Sequence, residues 1–416
     1  MAPFKVTIVG GGLAGALLAN GLMNNGVEVA VYERDAADSK REGYQIRLGE
    51  AAQAGLKACL TDDIRTALLT KLGKSASEGD TAPTICNSRF ETLLDLTKFG
   101  SYSKSSAINR VVLRDALLEP VPHHLRRGNE RVQLHFSDGS TDTCDILVGA
   151  DGSRSTINQQ VGVRNIVDIN SHMMFLNKGD LTQQIIKNLP ARLQSGPVIT
   201  VTKDLLFFFA LYLPPPREQS SQKNGGLEYD LAQGSFYWGL TVRRDRIPYD
   251  DPSKIPNLLE FCQNQVKDWA PEYHAMINAG SMTGQTDNIV VAPLRASKKP
   301  SKQWRENLRR NKAADITEGH PRVWLVGDAI HAMQPNRGMG GNQAMQDCAD
   351  ILPELLSLSQ IAAKSGPLLS TQDVGLAVKR YEDKMIDRAF SWVQKSGGIS
   401  VPVRNTKIWH VAGQDG

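Results

Sequence analysis

The sequence predicts an α/β protein: a Rossmann-like domain interleaved with a mixed β-sheet domain and followed by C-terminal helices. Three observations carry this expectation. A β-branched run at 4–9 ends in Gly10-Gly11-Gly12-Leu13-Ala14-Gly15 and leads into a helix-like stretch. Two further hydrophobic strands, at 144–149 and 322–327, each end in a turn that combines glycine with aspartate. Between these lie alternating, aromatic-rich segments of sheet type. The 416 residues exceed one ordinary core, so two interlocked domains are expected.

The first element is a buried parallel strand, Phe4 to Val9. The glycines after it match G-x-G-x-x-G. A helix follows over 14–25 and closes at Gly26 as a C-cap. A second strand covers 27–32, and Glu33 ends it. Each piece has a physical task. Gly10 permits a tight turn, Gly12 lets backbone approach a pyrophosphate, and Gly15 allows close helix–strand packing. Leu13 and Ala14 begin the helix whose N-terminus stabilises phosphate charge. Glu33 lies eighteen residues beyond Gly15, where a carboxylate can accept from both hydroxyls of an adenosine ribose. An acid there favours FAD or NAD over NADP. The choice between FAD and NAD is open at this point.

The later motifs bear on that choice. Gly149-Ala150-Asp151-Gly152-Ser153-Arg154-Ser155 follows one strand, and Gly327-Asp328-Ala329-Ile330-His331 follows the other. The second continues through Gln334-Pro335-Asn336-Arg337-Gly338-Met339-Gly340-Gly341-Asn342 into a helix. Asp328, at a strand end, suits the hydroxyls of a ribityl chain. A glycine-rich loop at 338–341 ahead of a helix suits negative charge on a reduced flavin ring. NAD requires neither, so FAD is favoured. Taken singly, each segment is equally an ordinary βα turn.

With these motifs in hand, the chain resembles the class A flavin monooxygenases of the para-hydroxybenzoate hydroxylase superfamily. A fourth segment, Asn109-Arg110-Val111-Val112-Leu113-Arg114-Asp115-Ala116-Leu117, is similar to that family's arginine helix. The resemblance spans roughly 5–395. It implies that Glu33 and Arg34 contact adenosine and that Arg110 contacts FAD. It further implies that Asp328 meets the ribityl–pyrophosphate region and that Pro335, Gly338, Gly340, Gly341 and Asn342 lie beside the flavin ring. Asp151 would serve both FAD and NAD(P)H. Gly43-Tyr44-Gln45-Ile46-Arg47-Leu48 falls where the family has a strand near the flavin, so Tyr44, Gln45, Ile46 and Arg47 become candidates. Two departures stand out. Asn158 occupies a position where the family usually has arginine, and 118–131 is short for the strand the family fits there.

The expected FAD-binding domain is discontinuous: 1–70, 105–160 and 320–355. The substrate domain comprises 71–104 and 161–319, and 356–416 forms a C-terminal helical segment. Strands are expected at 173–176, 198–202, 205–213 and 235–243, and helix at 253–279 and 374–394. The segment 214–229, rich in Pro, Gly, Ser and Gln, reads as a surface loop. Phe209, Tyr212, Tyr237 and Trp238 are candidate pocket walls, with ordinary core packing as the alternative. Arg47, Tyr212 and Tyr237 are the candidates for a catalytic part. His331 reads as a structural hydrogen-bonding residue.

Bulk properties narrow the class. A net charge of +4 does not suit nucleic acid, and the basic residues between Lys298 and Arg310 read as a solvated face. Five scattered cysteines without Cys-x-x-Cys suit neither a disulfide framework nor zinc, and no metal is expected. No leader precedes the first strand and no apolar run approaches a membrane span, so a cytoplasmic protein, monomeric or weakly dimeric, is expected.

The resemblance implies an FAD-dependent monooxygenase using NAD(P)H and O2. It would hydroxylate or epoxidise an aromatic or electron-rich secondary metabolite through a C4a-hydroperoxyflavin. A flavin oxidoreductase without oxygen insertion and a non-catalytic flavin-binding protein are the alternatives.

Overall fold

The computed structural model describes residues 4–34, 45–72, 82–98, 106–119, 132–137, 139–213, 234–283, 289–311, 315–365 and 369–400. Gly43, Tyr44, the loop 214–229 and most of 118–131 lie outside these residues. The chain divides into two compact units. The first comprises 1–70, 109–168 and 295–399, and the second 71–108, 169–294 and 400–416.

In the first unit, four parallel strands stand in the order Val323–Leu325, Ile146–Gly149, Lys5–Val9, Glu28–Tyr32. Their register aligns Val9 with both Tyr32 and Gly149, and Gly149 with Leu325. The carboxyl ends of the four strands therefore lie level. In an open α/β sheet this is the edge that receives ligands. Helix Leu13–Asn24 follows the first strand, and Gly26 at φ +72° turns the chain out of it. Its Asn20 donates to the Leu117 carbonyl at 2.5 Å, tying it to helix Arg110–Leu118.

A lysine opens the central strand although the position is buried. Lys5 Nζ donates to both oxygens of Asp142 at 2.6 and 2.7 Å, and Lys5 N donates to Asp145 Oδ2 at 2.8 Å. The pair anchors the hairpin Val132–His135 with Thr141–Cys144 beside the sheet. Such a pair offsets its desolvation only when, as here, each charge is directly met.

Helix Trp304–Arg310 and helix Thr371–Lys395 also belong to the first unit. Buried Arg305 explains this. It pairs with Glu382 at 2.8 Å and donates to the carbonyls of His320 and Val323. Tyr381 donates to the Leu325 carbonyl at 2.9 Å and stacks on Trp324. The units thus differ from the segments drawn on sequence, which assigned 295–319 to the sheet domain and 356–416 to a separate helical piece.

The second unit is built on a seven-stranded mixed sheet. Strand Ile166–Leu181 is far longer than the expected 173–176, because polar residues before Met173 disguise its alternation. Strands Val198–Val201, Leu205–Tyr212 and Gly234–Arg243 match the expected ones within a residue or two. Strands Thr84–Cys86, Thr92–Asp95 and Val290–Ser297 were not foreseen. The expected helix 253–279 is instead two helices, Leu258–Gln265 and Pro271–Ile277. Pro271 disfavours helical backbone at Ala270 and so splits them.

The helices cover one face of this sheet. Phe207, Phe209, Leu211, Phe236, Trp238 and Leu240 pack there with Tyr273, Met276 and Ile277. Period-two alternation assigns Phe208, Tyr212, Tyr237 and Gly239 to the opposite face. Phe208 and Tyr237 meet edge-on, with centroids 4.9 Å apart. Phe209 and Trp238 are therefore core residues rather than pocket walls, because they point into the helix-covered side.

Candidate functional site

The glycine turn after the first strand has three distinct geometries. Gly10 sits at φ +111°, and a Cβ there would lie 2.4 Å from the Ala150 carbonyl oxygen. At Gly15 a Cβ would lie 2.0 Å from the Gly10 carbonyl oxygen, so this glycine lets helix and turn touch. Around the Cβ position of Gly12, beyond the neighbouring backbone, no atom of the described residues lies within 4 Å. Gly12 also begins helix Leu13–Asn24 with no side-chain cap. Exposed amides at a helix start, with open space before them, are suited to a phosphate. Glu33 is fixed beside this turn, its Oε2 accepting from Gly11 N at 2.8 Å. Arg34, next along, is exposed.

The Gly–Asp turn sits at the same sheet edge. Gly327 has φ +61°, and its Cβ position lies 3.9 Å from the Ala14 Cβ. Asp328 begins the short helix Asp328–His331. Solvent reaches its side chain although protein surrounds it on most sides, so the burial penalty on its charge is partial. That penalty raises the carboxyl above its ordinary range; His331 and Arg110 oppose the shift and Asp347 adds to it. Arg110, first residue of its helix, therefore acts electrostatically on Asp328.

The glycine-rich loop closes the constellation. Pro335–Arg337 forms a single 3-10 turn, and Pro335 is exposed. Gly338 follows at φ +63°, and beyond its chain neighbours no atom of the described residues lies within 4 Å of its Cβ position. Helix Gly340–Ser365 begins inside the motif, so Gly340 and Gly341 form its first turn rather than a preceding loop. A Cβ on Gly340 would lie 3.6 Å from Asp328 Oδ1. One on Gly341 would lie 2.2 Å from Ile46 Cδ1 and 3.7 Å from Leu13 Cδ1. Asn342 is buried and its side chain serves backbone: it accepts from Gly49 N at 2.8 Å and donates to the carbonyls of Arg47 and Gly338. It thereby fastens strand Gln45–Leu48 to the loop. Arg47 is half-buried, and the side chain of Gln45 lies outside the described residues.

Asp151 is occupied locally. It accepts from the hydroxyl of Ser155 at 2.5 Å and from the amide of Thr156 at 2.8 Å, starting helix Thr156–Gln160. Asn158, in the family's arginine position, is fully buried. It donates to Asn165 Oδ1 at 2.9 Å and to the Ala329 carbonyl at 2.8 Å. Asn165 in turn donates to the Ile330 carbonyl at 2.9 Å. An arginine would not fit in this space. Asn158 instead supports the Gly–Asp turn from beneath.

Three residues behind the site were not singled out on sequence. Asp347 accepts from Gly327 N and His331 Nε2, both at 2.7 Å, and from Arg388 Nη2 at 2.6 Å. Burial alone would raise Asp347, but His331, Arg388 and the Gly327 amide outweigh it and hold the carboxyl below its ordinary range. Asn165 is the third. Only long-range side-chain bonds reveal these roles, and sequence patterning carries no signal for them.

The donor set fits FAD. A carboxylate for ribose, a bare helix N-terminus for pyrophosphate and a solvent-facing carboxylate for a polyol converge through Leu13–Gly341–Ile46 and Ala14–Gly327. A family model described as "FAD binding domain" matches residues 3–43 and 285–380. The chain thus carries the sequence pattern of an FAD binding domain over those residues. Among relatives of this flavoprotein, the dual O-methyltransferase/FAD-dependent monooxygenase elcB of Phaeosphaeria nodorum is 24% identical over 94% of the chain and 45% of its own length. The chain thus spans less than half of that relative. The FAD-dependent monooxygenase tazP of Aspergillus terreus is 25% identical over 83% of the chain and 88% of its own length. A solved structure from Photorhabdus luminescens, assigned as an FAD-containing monooxygenase, shares the flavoprotein's fold. It has a TM-score of 0.69 and 23% identity, covering 94% of this chain and 96% of that one. Among the described residues no cluster of His, Cys, Asp and Glu could hold a metal, and no helix is long and apolar enough to cross a membrane.

Proposed function

We propose that the protein is an FAD-dependent monooxygenase that consumes NAD(P)H and O2 to hydroxylate or epoxidise an aromatic or electron-rich secondary metabolite. One observation carries the reading: motifs from the start, middle and end of the chain meet around the solvent-facing carboxylate of Asp328. In this reading the first unit is the FAD domain and the second the substrate domain. The names of the relatives, FAD-dependent monooxygenases of Phaeosphaeria nodorum and Aspergillus terreus, support oxygen insertion.

Glu33 would hold the adenosine ribose, with Arg34 outside it. The amides after Gly12 would meet the pyrophosphate, and Asp328 and Arg110 the ribityl side. The first turn of helix Gly340–Ser365 would stabilise negative charge on the ring. When bound, the flavin supplies hydride acceptance and oxygen transfer, which no side chain can supply. The chain's own residues bind, orient and exclude water.

The face of the second sheet opposite its covering helices, with Phe208, Tyr212, Tyr237 and Gly239, has the aromatic character that suits an aromatic ring. Burial raises the Tyr212 phenol above its ordinary range, so it would act as a hydrogen-bond donor and not as a base. Arg47 and Tyr237 remain candidates for positioning substrate. The five cysteines are free and buried, which supports a reducing, cytoplasmic setting, and we expect a monomer or weak homodimer.

The test is oxygen balance in the purified holoprotein with a panel of phenols and indoles. Equimolar NAD(P)H and O2 consumption, with label from 18O2 in the product, is expected. Substrate turnover under anaerobic conditions would instead identify a flavin oxidoreductase and overturn the reading.

A further inference from the structure

The Gly327–Asp328 turn is gripped from two sides. Beneath it, Asn158 and Asn165 donate to the carbonyls of Ala329 and Ile330. Behind it stands Asp347, on helix Gly340–Ser365. One oxygen of Asp347 takes both the Gly327 amide and His331 Nε2, and the other takes Arg388. Asp347 and His331 are each 0% exposed. The fit is tight as well as polar: a Cβ on Gly327 would lie 2.9 Å from the Ala344 Cβ, one turn earlier on the same helix. Asp328, the next residue, is the one whose side chain solvent reaches.

We propose that Asp347 is a positioning residue for the cofactor: it orients the Gly327–Asp328 turn so that Asp328 presents its carboxylate to FAD, with Arg388 as the counter-charge that holds Asp347 in place. The inference rests on the FAD-binding reading of Asp328.

The chemistry of the three partners explains why a carboxylate is needed. Gly327 N and Arg388 Nη2 can only donate. His331 Nδ1 meets no partner among the described residues, which leaves Nε2 as the nitrogen whose proton has a use. Three donors converge on one side chain, and only a carboxylate accepts all three. Asparagine at 347 would present its amide hydrogens to at least one of them. Arg388 is itself braced by Gln343 Oε1 at 2.5 Å and Asp350 Oδ2 at 3.0 Å. Helix Thr371–Lys395 thereby reaches the cofactor turn through a two-residue relay.

The test is a double-mutant cycle on FAD affinity, read by flavin fluorescence quenching on reconstituted apoprotein, with thermal melting of the apoprotein as a check on folding. Asp328→Asn and Asp347→Asn are each expected to weaken FAD binding at least tenfold, which is about 1.4 kcal/mol. Acting through the same carboxylate, the two together are expected to cost no more than the worse single variant, within about twofold. Fully multiplicative losses would show that Asp347 merely supports the fold and would overturn the proposal, as would unchanged affinity in Asp347→Asn. Should Asp347→Asn fail to fold, Arg388→Gln carries the cycle: it weakens binding in the native background and not in Asp328→Asn, and equal losses in both overturn the proposal. If Asp328→Asn alone leaves affinity unchanged, the FAD reading of Asp328 falls and takes this inference with it. If Asp328→Asn is impaired and the cycle is multiplicative, only this inference falls.

Discussion

Oε2 of Glu33 accepts the amide proton of Gly11 at 2.8 Å, which joins the end of the second strand to the middle of the glycine turn. The contact is close enough that a Cβ on Gly11 would lie 3.1 Å from the Glu33 Cβ. The carboxylate proposed to meet the ribose is therefore held in place by the chain itself. Glu33→Ala is expected to weaken FAD binding at least tenfold, about 1.4 kcal/mol, in a fluorescence titration. Glu33→Gln keeps an acceptor for Gly11 and is expected to fall between Ala and the native protein. Native affinity in Glu33→Ala would remove Glu33 from the site.

Gly12 and Gly15 are separated by three positions and by opposite surroundings. Among the described residues beyond its own neighbours, no atom lies within 4 Å of the Cβ position of Gly12, whereas that of Gly15 lies 2.0 Å from a carbonyl oxygen. Gly12→Ala should leave apoprotein stability within about 1 kcal/mol, since only an N-cap preference changes, and should weaken FAD binding. Gly15→Ala should destabilise the apoprotein itself by about 1–3 kcal/mol, the range of an overpacked interior site. Urea denaturation with and without FAD separates the two.

Asn158 shows how a departure from a family pattern can be compensated. Its side chain links the Asp-Gly motif to the Gly-Asp motif through the Ala329 carbonyl. Asn158→Ala orphans that buried carbonyl and should cost about 1–3 kcal/mol. Asn158→Arg, which restores the family residue, should do worse, because a longer, charged side chain would enter a fully buried position. An arginine variant as stable as the native protein would contradict the packing described for this position.

The Asp328 carboxyl links apoprotein stability to pH. It is raised in the folded apoprotein, chiefly by burial. A raised acid penalises the folded state once ionised, so apoprotein stability should increase as pH falls from neutrality through the raised value toward the unfolded value near 3.8. Asp328→Asn should stabilise the apoprotein at neutral pH, should flatten that pH dependence, and should weaken FAD binding. Melting curves across pH 4–8, roughly the window of carboxylate linkage, provide the check. Loss of stability in Asp328→Asn at neutral pH would reverse the sign and refute the account.

Much of this architecture is local and therefore legible in the sequence. Gly10, Gly12, Gly15 and Glu33 sit within one strand–helix–strand unit, and the Gly-Asp turn follows its strand directly. The opposite facing of Tyr237 and Trp238 follows from strand alternation, yet the sequence reading took both as pocket walls. It likewise ran one helix over 253–279 through the break ahead of Pro271. Asp347, Arg388, Asn165 and the clamping role of Asn342 were not readable. Each acts through one side chain reaching a backbone group or charge far away in sequence, and such bonds leave no periodicity. The length of strand Ile166–Leu181 was obscured for a different reason: Asp168, Asn170, Ser171 and His172 break the apolar alternation while the backbone ladder continues.

The bond from Gly49 to Asn342 spans 293 positions, and Asp347 waits for Arg388 beyond it. During synthesis the glycine turn at residues 10–15 emerges well before Arg388. Non-local contacts of this kind form slowly and only once both partners exist. The contact between Glu33 and Gly11 can thus be in place long before Asp347 meets Arg388. A chain caught between the two events would hold the glycine turn in its final form while the Gly327–Asp328 turn still lacked the brace behind it, which makes the helix that carries Arg388 the late-arriving lock of the sheet edge.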